Sequence, residues 1–587
     1  MKYALHLALL FLLSSCTSND NAQHSQKRET REPEAATGLQ YKEQVSAQQF
    51  MVAAANPYAA KAGQSMLAQG GSAIDAAIAT QLVLTLVEPQ SSGIGGGTFI
   101  LYFDKKNNKL VTFDGRETAP NKADHTLFLD ENGKAVPWIK AVVGGRSVGV
   151  PGVLHAFKQA HQQYGTLPWE TLFEPAIKLA TEGFVVSPRL NMLLEKKLNP
   201  GLTQLSPAKD YFYPNGEALK VGAVKQNPEL ASVYQQVAKN GIRAFYQGEN
   251  AAQLVSAVQN AQIAPGKLDK NDLAEYTSKQ RTPICTDYHQ YKVCSMAPPS
   301  SGGIAVLQIL KLLEGKNLSQ YAPNDPQALH LFTQASRLAF ADRNHYVADP
   351  DFVTVPTKAL LRDDYLLKRA ALITDQDNHN VPVGDPTQGA IAYAQGDGYE
   401  LPSTTHVSIV DSQGNAVSMT SSIEMAFGST VMVNGYLLNN QLTDFSLSPK
   451  KEGKWVANRV EANKRPRSSM SPVMVFNPDG SLRLVVGSPG GSRIINYVAQ
   501  TVIGVLDWQL TPQQAINLPR VTNRNKYTTL EKGTELVNLV PFFKEKGHNV
   551  QVRDLNSGLH AIEVKNGKLY GGADPRREGI ALGENTR

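Results

Sequence analysis

The chain has 587 residues, 42% hydrophobic and 19% charged, an ordinary globular composition long enough for several domains or one large intertwined one. Its 58 basic and 52 acidic side chains leave a formal net charge of +6, scattered along the sequence. No long Lys/Arg run or aromatic-interleaved basic patch is present, so nucleic-acid binding is disfavoured.

Lys2 and the apolar stretch from Ala4 to Leu13 precede Ser14-Ser15-Cys16. The stretch is too short to cross a bilayer as a helix and has the form of a secretory signal. LSSC resembles the bacterial lipobox, which implies cleavage before Cys16 and lipidation of that thiol; a plain signal peptide that happens to contain a cysteine is the alternative. Among bacterial lipoproteins, Thr17 after the cysteine favours the outer membrane of a Gram-negative-type cell, facing the periplasm. From Asn19 to about Gln40 the chain is polar and buries too little to fold, so 16–44 reads as a tether.

Ser72 with Asp75 three residues later is a capping box, and it opens a helix over Ala73–Val87 that ends at Glu88-Pro89. The glycines of SSGIGGGTFILYF precede a strand and lack a Gly-Lys-Ser/Thr ending, so they read as close backbone packing and not as a phosphate loop. Cys285 and Cys294 flank TDYHQYKV, which reads as a hairpin. If the two face each other across it, an oxidising compartment allows a disulfide; their spacing, without clustered histidines, argues against zinc. Helices are predicted from Ser301 through Leu313, and from Asp325, with Pro326 at the first helical position, to about Asn344. The region from about Asp349 to Ser403 is rich in Asp, Gly, Pro and Gln and reads as irregular and linker-like.

Beyond Thr404 the texture changes. Short strands are predicted over 406–410, 415–420, 431–438, 471–476 and 481–487, the last two joined by the turn Asn477-Pro478-Asp479-Gly480. GSPGGSR then leads into a helical segment from Ile494 to Leu506. Helices before, strands in the middle and a helix after predict a layered sheet with helices on both faces.

Several common catalytic signatures are missing: no His-Glu-x-x-His, Cys-x-x-Cys or Walker loop occurs. Small hydroxylated and glycine-rich segments stand out instead: KRPRSSMSP with Ser468 and Ser469, GSPGGSR with Gly490 and Gly491, and LLNNQLTDF with Gln441 and Asp444. Together with TTHVSIVDSQGNAVSMTSS, these resemble the small subunit of γ-glutamyltranspeptidases. Upstream, GGSAIDAAIATQLVLTLVEPQSSGIGGG, DGRETAP, SVGVPG and MAPPSSGG match the same family in the same order, as does ADPRREG near the C-terminus. The resemblance runs from Val45 to Gly579.

It implies an α+β fold, the four-layer αββα sandwich of N-terminal-nucleophile hydrolases, formed jointly by two subunits cut from one chain. The cut would fall at Ser403–Thr404, giving a large subunit 45–403 and a small, catalytic subunit 404–587. Thr404 would then carry both a hydroxyl nucleophile and a free α-amine, whose ordinary pKa of about 7.7–8.0 leaves a useful base fraction at neutral pH. The family pattern implies that Ser422 orients the nucleophile and that Gly490 and Gly491 form the oxyanion hole. Arg116 would bind the α-carboxylate of a γ-glutamyl donor, with Ser468 and Ser469 adding hydroxyls. Asp444 would hold its α-ammonium, helped by Gln441 and Glu424; position 424 is Asn in many family members, and Glu there should tighten ammonium binding.

The segment from Ser446 to Glu461 stands where some members carry a lid, and Trp455 is its candidate cover. Donors are expected to be glutathione and other γ-glutamyl small molecules, and acceptors water, amino acids or peptides; no metal or organic cofactor is required. A cephalosporin (glutaryl) acylase or a poly-γ-glutamate hydrolase is the alternative within the family. A lipoprotein binding module that never cleaves itself is the alternative outside it, and the intact Thr404 and oxyanion glycines argue against that.

Overall fold

Two antiparallel sheets form the centre of the molecule, each assembled from strands that lie far apart in the sequence. The computed structural model describes residues 38–389, 393–396, 400–401 and 403–586. The predicted leader, Cys16 and all but the end of the polar tether lie outside the described residues.

After the tether come β1 (Val45–Ala47) and β2 (Met51–Ala54). The helix α1 (Pro57–Ala68) is capped by Asn56, and α2 (Ala73–Val87) opens on the Ser72–Asp75 capping box that the sequence predicts. Every residue of α2 is buried, in keeping with a sequence whose polar members are Asp75, Thr80, Gln81 and Thr85 alone. The strands β3 (Gly97–Asp104) and β4 (Lys109–Gly115) follow. After a helical excursion the chain returns as the hairpin β5 (Ile284–Tyr288) and β6 (Tyr291–Ser295), then α3 (Gly302–Glu314) and α4 (Pro326–Tyr346). The C-terminal third supplies β7 (Thr405–Val410), β8 (Ala416–Ser422), β9 (Val473–Phe476), β10 (Leu482–Gly487), α5 (Ile494–Leu506), β11 (His560–Lys565), β12 (Lys568–Ala573) and β13 (Ile580–Gly583).

One sheet runs β13-β2-β7-β8-β3-β4 and the other β1-β12-β11-β10-β9-β6-β5. Alternation along each strand decides what it faces. Met51, Ala53, Phe99 and Leu101 of the six-stranded sheet share one buried core with Val485 and Ile562 of the other sheet. Their neighbours Val52, Ile100, Val407 and Ile409 point the opposite way, into the core built on α1 and α2. The helices α3, α4 and α5 close the far face of the seven-stranded sheet. The result is helices, sheet, sheet and helices in four layers, the architecture that the family resemblance implies.

Two expectations need correction. The segment 431–438 is not one strand: Met432–Val433 and Tyr436–Leu437 form a tiny hairpin. Its turn is Asn434-Gly435, both at positive φ (47° and 81°), the pair that a two-residue hairpin turn selects. The region after Asp349 is not wholly irregular either, since short helices span Thr357–Leu360 and Asp363–Ala370. These bury Leu360, Tyr365 and Leu366, too few apolar residues to outweigh a polar composition in a reading by pattern alone.

Three strand ends meet between the layers. β7 begins at Thr405, directly after Thr404; β8 ends at Ser422, paired with Gly97; and β10 ends at Gly487, three residues before Gly490. Gly96 allows this approach, because a Cβ there would stand 2.1 Å from the Ser422 carbonyl oxygen.

Candidate active site

Thr404 and Ser403 are both buried, on the connection that enters β7. Thr404 has φ +95°, a conformation that a β-branched residue adopts only under strain from its surroundings. Its Oγ1 donates to Ser422 Oγ at 3.0 Å, and Ser422 Oγ also accepts the Glu424 backbone N–H at 2.8 Å. The Gly490 amide donates to the carbonyl oxygen of Ser403 at 3.0 Å, so it points at the Ser403–Thr404 peptide bond itself. Gly490 has φ +134°, and a Cβ there would lie 2.7 Å from the Tyr497 ring; only glycine presents its amide in this way. Gly491 is packed against the same incoming chain, since a Cβ on it would meet the Leu401 carbonyl oxygen at 2.3 Å. Arg577, which sequence reasoning passed over inside ADPRREG, reaches the Thr404 carbonyl with Nη1 at 3.4 Å.

A cluster of buried charge adjoins this corner. Arg116, fully buried after β4, pairs through Nη2 with the Asp444 carboxylate and donates to the carbonyls of Arg467 (2.9 Å) and Pro466 (3.2 Å). Its Nη1 lies 3.5 Å from Glu117. Gln441 Nε2 donates to Asp444 at 3.4 Å, from the short 3₁₀ turn Gln441–Asp444 that carries both. Burial pushes the Asp444 carboxyl up to about 6 against the pull of Arg116, with Glu400 pushing the same way as burial. Glu424 is driven well above the carboxylate range by burial and by the charges of Asp444 and Glu400, and in its protonated form it hydrogen-bonds to Asp444. Burial likewise raises Glu117 to about 8, although Arg116 opposes it. Like charges this close in a dry site do not all ionise, so the cluster is poised to take up a cation.

Ser468 and Ser469 directly follow the Arg467 carbonyl that Arg116 holds. The Ser301 backbone N–H and hydroxyl donate to the Ser468 carbonyl at 2.7 and 2.8 Å, and the Ser468 hydroxyl accepts the Met470 N–H at 3.2 Å. The Ser469 hydroxyl accepts from Arg343 Nη2 at 2.6 Å. Arg343, on α4, also pairs with the buried carboxylate of Glu400, and Arg467 Nε lies 3.8 Å from the same carboxylate. Neither Arg343, Arg467 nor Glu400 was singled out from the sequence. Arg467 lay inside the quoted KRPRSSMSP, whereas Glu400 carried no signal in a tail that reads as linker.

The remaining candidates are Trp455 and the cysteine pair. Trp455 is 37% exposed on the hairpin Lys450–Lys451/Lys454–Trp455, with Lys450 and Arg459 4.3 and 5.1 Å from its ring and His125 edge-on. Ala394, in the segment before the Ser403–Thr404 bond, donates its N–H to the Trp455 carbonyl at 2.8 Å. Cys285 and Cys294 are directly paired across β5 and β6 at the edge of the seven-stranded sheet, and their sulfurs are bonded.

A nucleophile corner at a strand start, an amide aimed at the preceding carbonyl and two sheets between helix layers are features to compare with known proteins. Residues 59–584 match the family model described as gamma-glutamyltranspeptidase. The glutathione hydrolase proenzyme of Bacillus subtilis (strain 168) is 38% identical over 566 residues, 93% of this chain and 94% of that protein. Its Escherichia coli (strain K12) counterpart is 38% identical over 544 residues, 91% of each. Among solved structures, a cephalosporin acylase from Bacillus halodurans superposes with TM-score 0.82 at 29% identity, over 94% of this chain and 99% of that one. With the match running from α1 to the end of β13, the chain belongs to the gamma-glutamyltranspeptidase family.

Proposed function

We propose that this protein is a self-processing γ-glutamyltranspeptidase and glutathione hydrolase with Thr404 as its nucleophile. One observation carries the reading: at the Ser403–Thr404 bond the Gly490 amide holds the Ser403 carbonyl oxygen while the Thr404 hydroxyl is bonded to Ser422. In processing, Thr404 Oγ adds to the Ser403 carbonyl carbon while Gly490 stabilises the oxyanion. The C–N bond breaks and leaves an ester and a free Thr404 amine. Water then hydrolyses the ester, giving a Ser403 carboxylate and restoring the hydroxyl.

In turnover the same hydroxyl attacks the γ-carbonyl of the donor, its proton passing to the α-amine of Thr404. The amide bond breaks, the leaving amine takes the proton, and a γ-glutamyl ester remains on Thr404. Water or the amine of an amino acid or peptide then takes the acyl group. The Glu424–Asp444 pair and Gln441 receive the α-ammonium, which replaces the proton shared between the two carboxyls. Arg116, Ser468 and Ser469 serve the α-carboxylate, and Trp455 covers the site.

The subunits are then 45–403 and 404–587, and they remain together as a heterodimer. Export by the N-terminal leader, with Cys16 lipidated on the periplasmic side, completes the reading. Among the described residues no helix is long and apolar enough to cross a membrane. A glutaryl acylase is the second reading, favoured by the similarity to the Bacillus halodurans acylase. Against it, Asp444 and Glu424 offer an ammonium site that a glutaryl group, lacking the amine, leaves unused.

Denaturing electrophoresis with N-terminal sequencing of the smaller band is the direct test, and the sequence expected is TTHVSIV. Thr404→Ala should abolish both cleavage and turnover, whereas Thr405→Ala should leave some of each. A single persistent band from the wild-type chain would reject the mechanism. Faster turnover of a glutaryl amide than of γ-glutamyl-p-nitroanilide would reject the substrate.

A further inference from the structure

Arg116 is held at both its backbone and its guanidinium, and the groups that hold it converge on one buried ionic pair. Its amide N–H donates to Asp114 Oδ1 at 2.9 Å, and its carbonyl accepts the Tyr276 hydroxyl at 2.8 Å. Its Nε and Nη2 donate to the carbonyls of Pro466 and Arg467, the two residues that directly follow Arg465. Asp114, near the end of β4, is fully buried, and Arg465 is 3% exposed. Their side chains meet, with Arg465 Nε 3.5 Å from Asp114 Oδ2. The same Oδ2 accepts Arg281 Nε at 2.6 Å, so one carboxylate faces two guanidiniums.

Arg465 is fixed in turn. Its backbone N–H donates to Asp349 Oδ2 at 2.8 Å, its Nη2 donates to the Thr277 carbonyl at 2.7 Å, and its guanidinium carbon lies 5.9 Å from the centre of the Tyr276 ring. Tyr276 therefore meets both arginines, Arg465 with its ring and the Arg116 carbonyl with its hydroxyl. Asp349, also fully buried, stands 3.6 Å from Arg281 and closes the circuit. Buried ion pairs of this kind add little net stability over a well-packed apolar cluster, because desolvation offsets the Coulomb gain. What a satisfied network does supply is a single geometry. Here that geometry is passed to Arg116, through its own amide and carbonyl on one side and the Pro466 and Arg467 carbonyls on the other.

We propose that Asp114, Tyr276 and Arg465 are positioning residues for the donor, which together fix the backbone and the guanidinium of Arg116 where the α-carboxylate binds. The assignment rests on the reading of Arg116 as the partner of that carboxylate, and adds what aims it. None of the three is required to meet the donor. Asp114 and Tyr276 precede the proposed cut and Arg465 follows it, so the aim of Arg116 is set jointly by the two pieces of the chain.

The test compares donor binding with a reaction that uses no donor. In processed enzyme, Arg465→Met should raise KM for γ-glutamyl-p-nitroanilide roughly tenfold and change kcat by less than about twofold, because Arg116 loses its aim while the nucleophile is untouched. Asp114→Asn, which keeps an acceptor for the Arg116 amide but removes the charge, should act in the same direction. Tyr276→Phe, which removes one hydroxyl at constant shape, should raise KM by about threefold. Self-cleavage involves no donor carboxylate, so all three chains should be cut at the wild-type rate, and thermal melting verifies that they fold. Unchanged KM in folded Arg465→Met and Tyr276→Phe enzymes would overturn the assignment. So would self-cleavage slowed by the same factor as KM rises, since that marks a general disturbance of the fold. Failure of the wild-type enzyme to turn over the γ-glutamyl donor would instead overturn the function on which the assignment rests.

Discussion

At the scale of single residues, the site depends on a few atoms whose positions leave little slack. A methyl group on Gly490 would collide with the Tyr497 ring and would occupy a φ of +134° that side chains rarely adopt. Gly490→Ala should therefore displace the amide from the Ser403 carbonyl and slow self-cleavage by about 10²–10³, the usual effect of losing an oxyanion donor. The fraction of cut chain sampled over time measures this directly. Asp444 makes a second case. Its carboxyl titrates at about 6 in the uncut chain, raised chiefly by burial and further by Glu400. Protonation removes the charge that receives an ammonium, so donor affinity should weaken as pH falls through that value and hold above it. KM for γ-glutamyl-p-nitroanilide measured between pH 4.5 and 8 checks this; a KM flat through that range would count against Asp444 as the ammonium partner.

At the scale of elements, much of the molecule could be read from sequence. The capping box of α2, Asp325 and Pro326 at the start of α4, and the limits of α5 follow from local chemistry that needs no distant partner. The hairpin at Asn434-Gly435 was equally local, and its signal was overlooked inside an apolar run. The residues missed in the site are of another kind. Arg343 is one of many polar positions along a helix, and Glu400 stands in a stretch with no periodicity; what joins them is the return of the tail across α4, which spacing does not encode. Thr404, Asp444 and the two glycines drew attention because their motifs resemble a family, and the structure brings Thr404 and Gly490 together at the Ser403 carbonyl. The disulfide between β5 and β6 belongs to this scale as well, because it closes a short loop at a sheet edge, where strand pairing is weakest. Replacing Cys285 and Cys294 by Ser should cost about 2–3 kcal/mol of stability, on the chain-entropy estimate for a loop of this size. Denaturant unfolding of the two proteins gives that difference, and no change in midpoint would show that the bridge adds nothing.

At the scale of the whole molecule, the proposed cut divides the strands without dividing the sheets. In the six-stranded sheet β2, β3 and β4 precede Thr404, whereas β13, β7 and β8 follow it, and β2 lies between β13 and β7. In the other sheet β1 flanks β12 at one edge while β6 and β5 flank β9 at the other. Separating the pieces would strip hydrogen bonds from both sheets and expose the core between them. The two bands seen on a denaturing gel should therefore migrate as one species by size-exclusion chromatography without denaturant. Residues 404–587 expressed alone should not fold, as the loss of cooperative thermal unfolding would show.

The Gly490 amide reaches the Ser403 carbonyl only after β7, β8 and β10 have taken their places in opposite sheets. An unfolded or misregistered chain has no means of cutting itself. The proposed break in the chain would thus be a durable receipt of correct folding, written once and kept through purification. The ratio of cut to uncut polypeptide can rank variants, growth temperatures or expression hosts by folding yield, before any substrate is added.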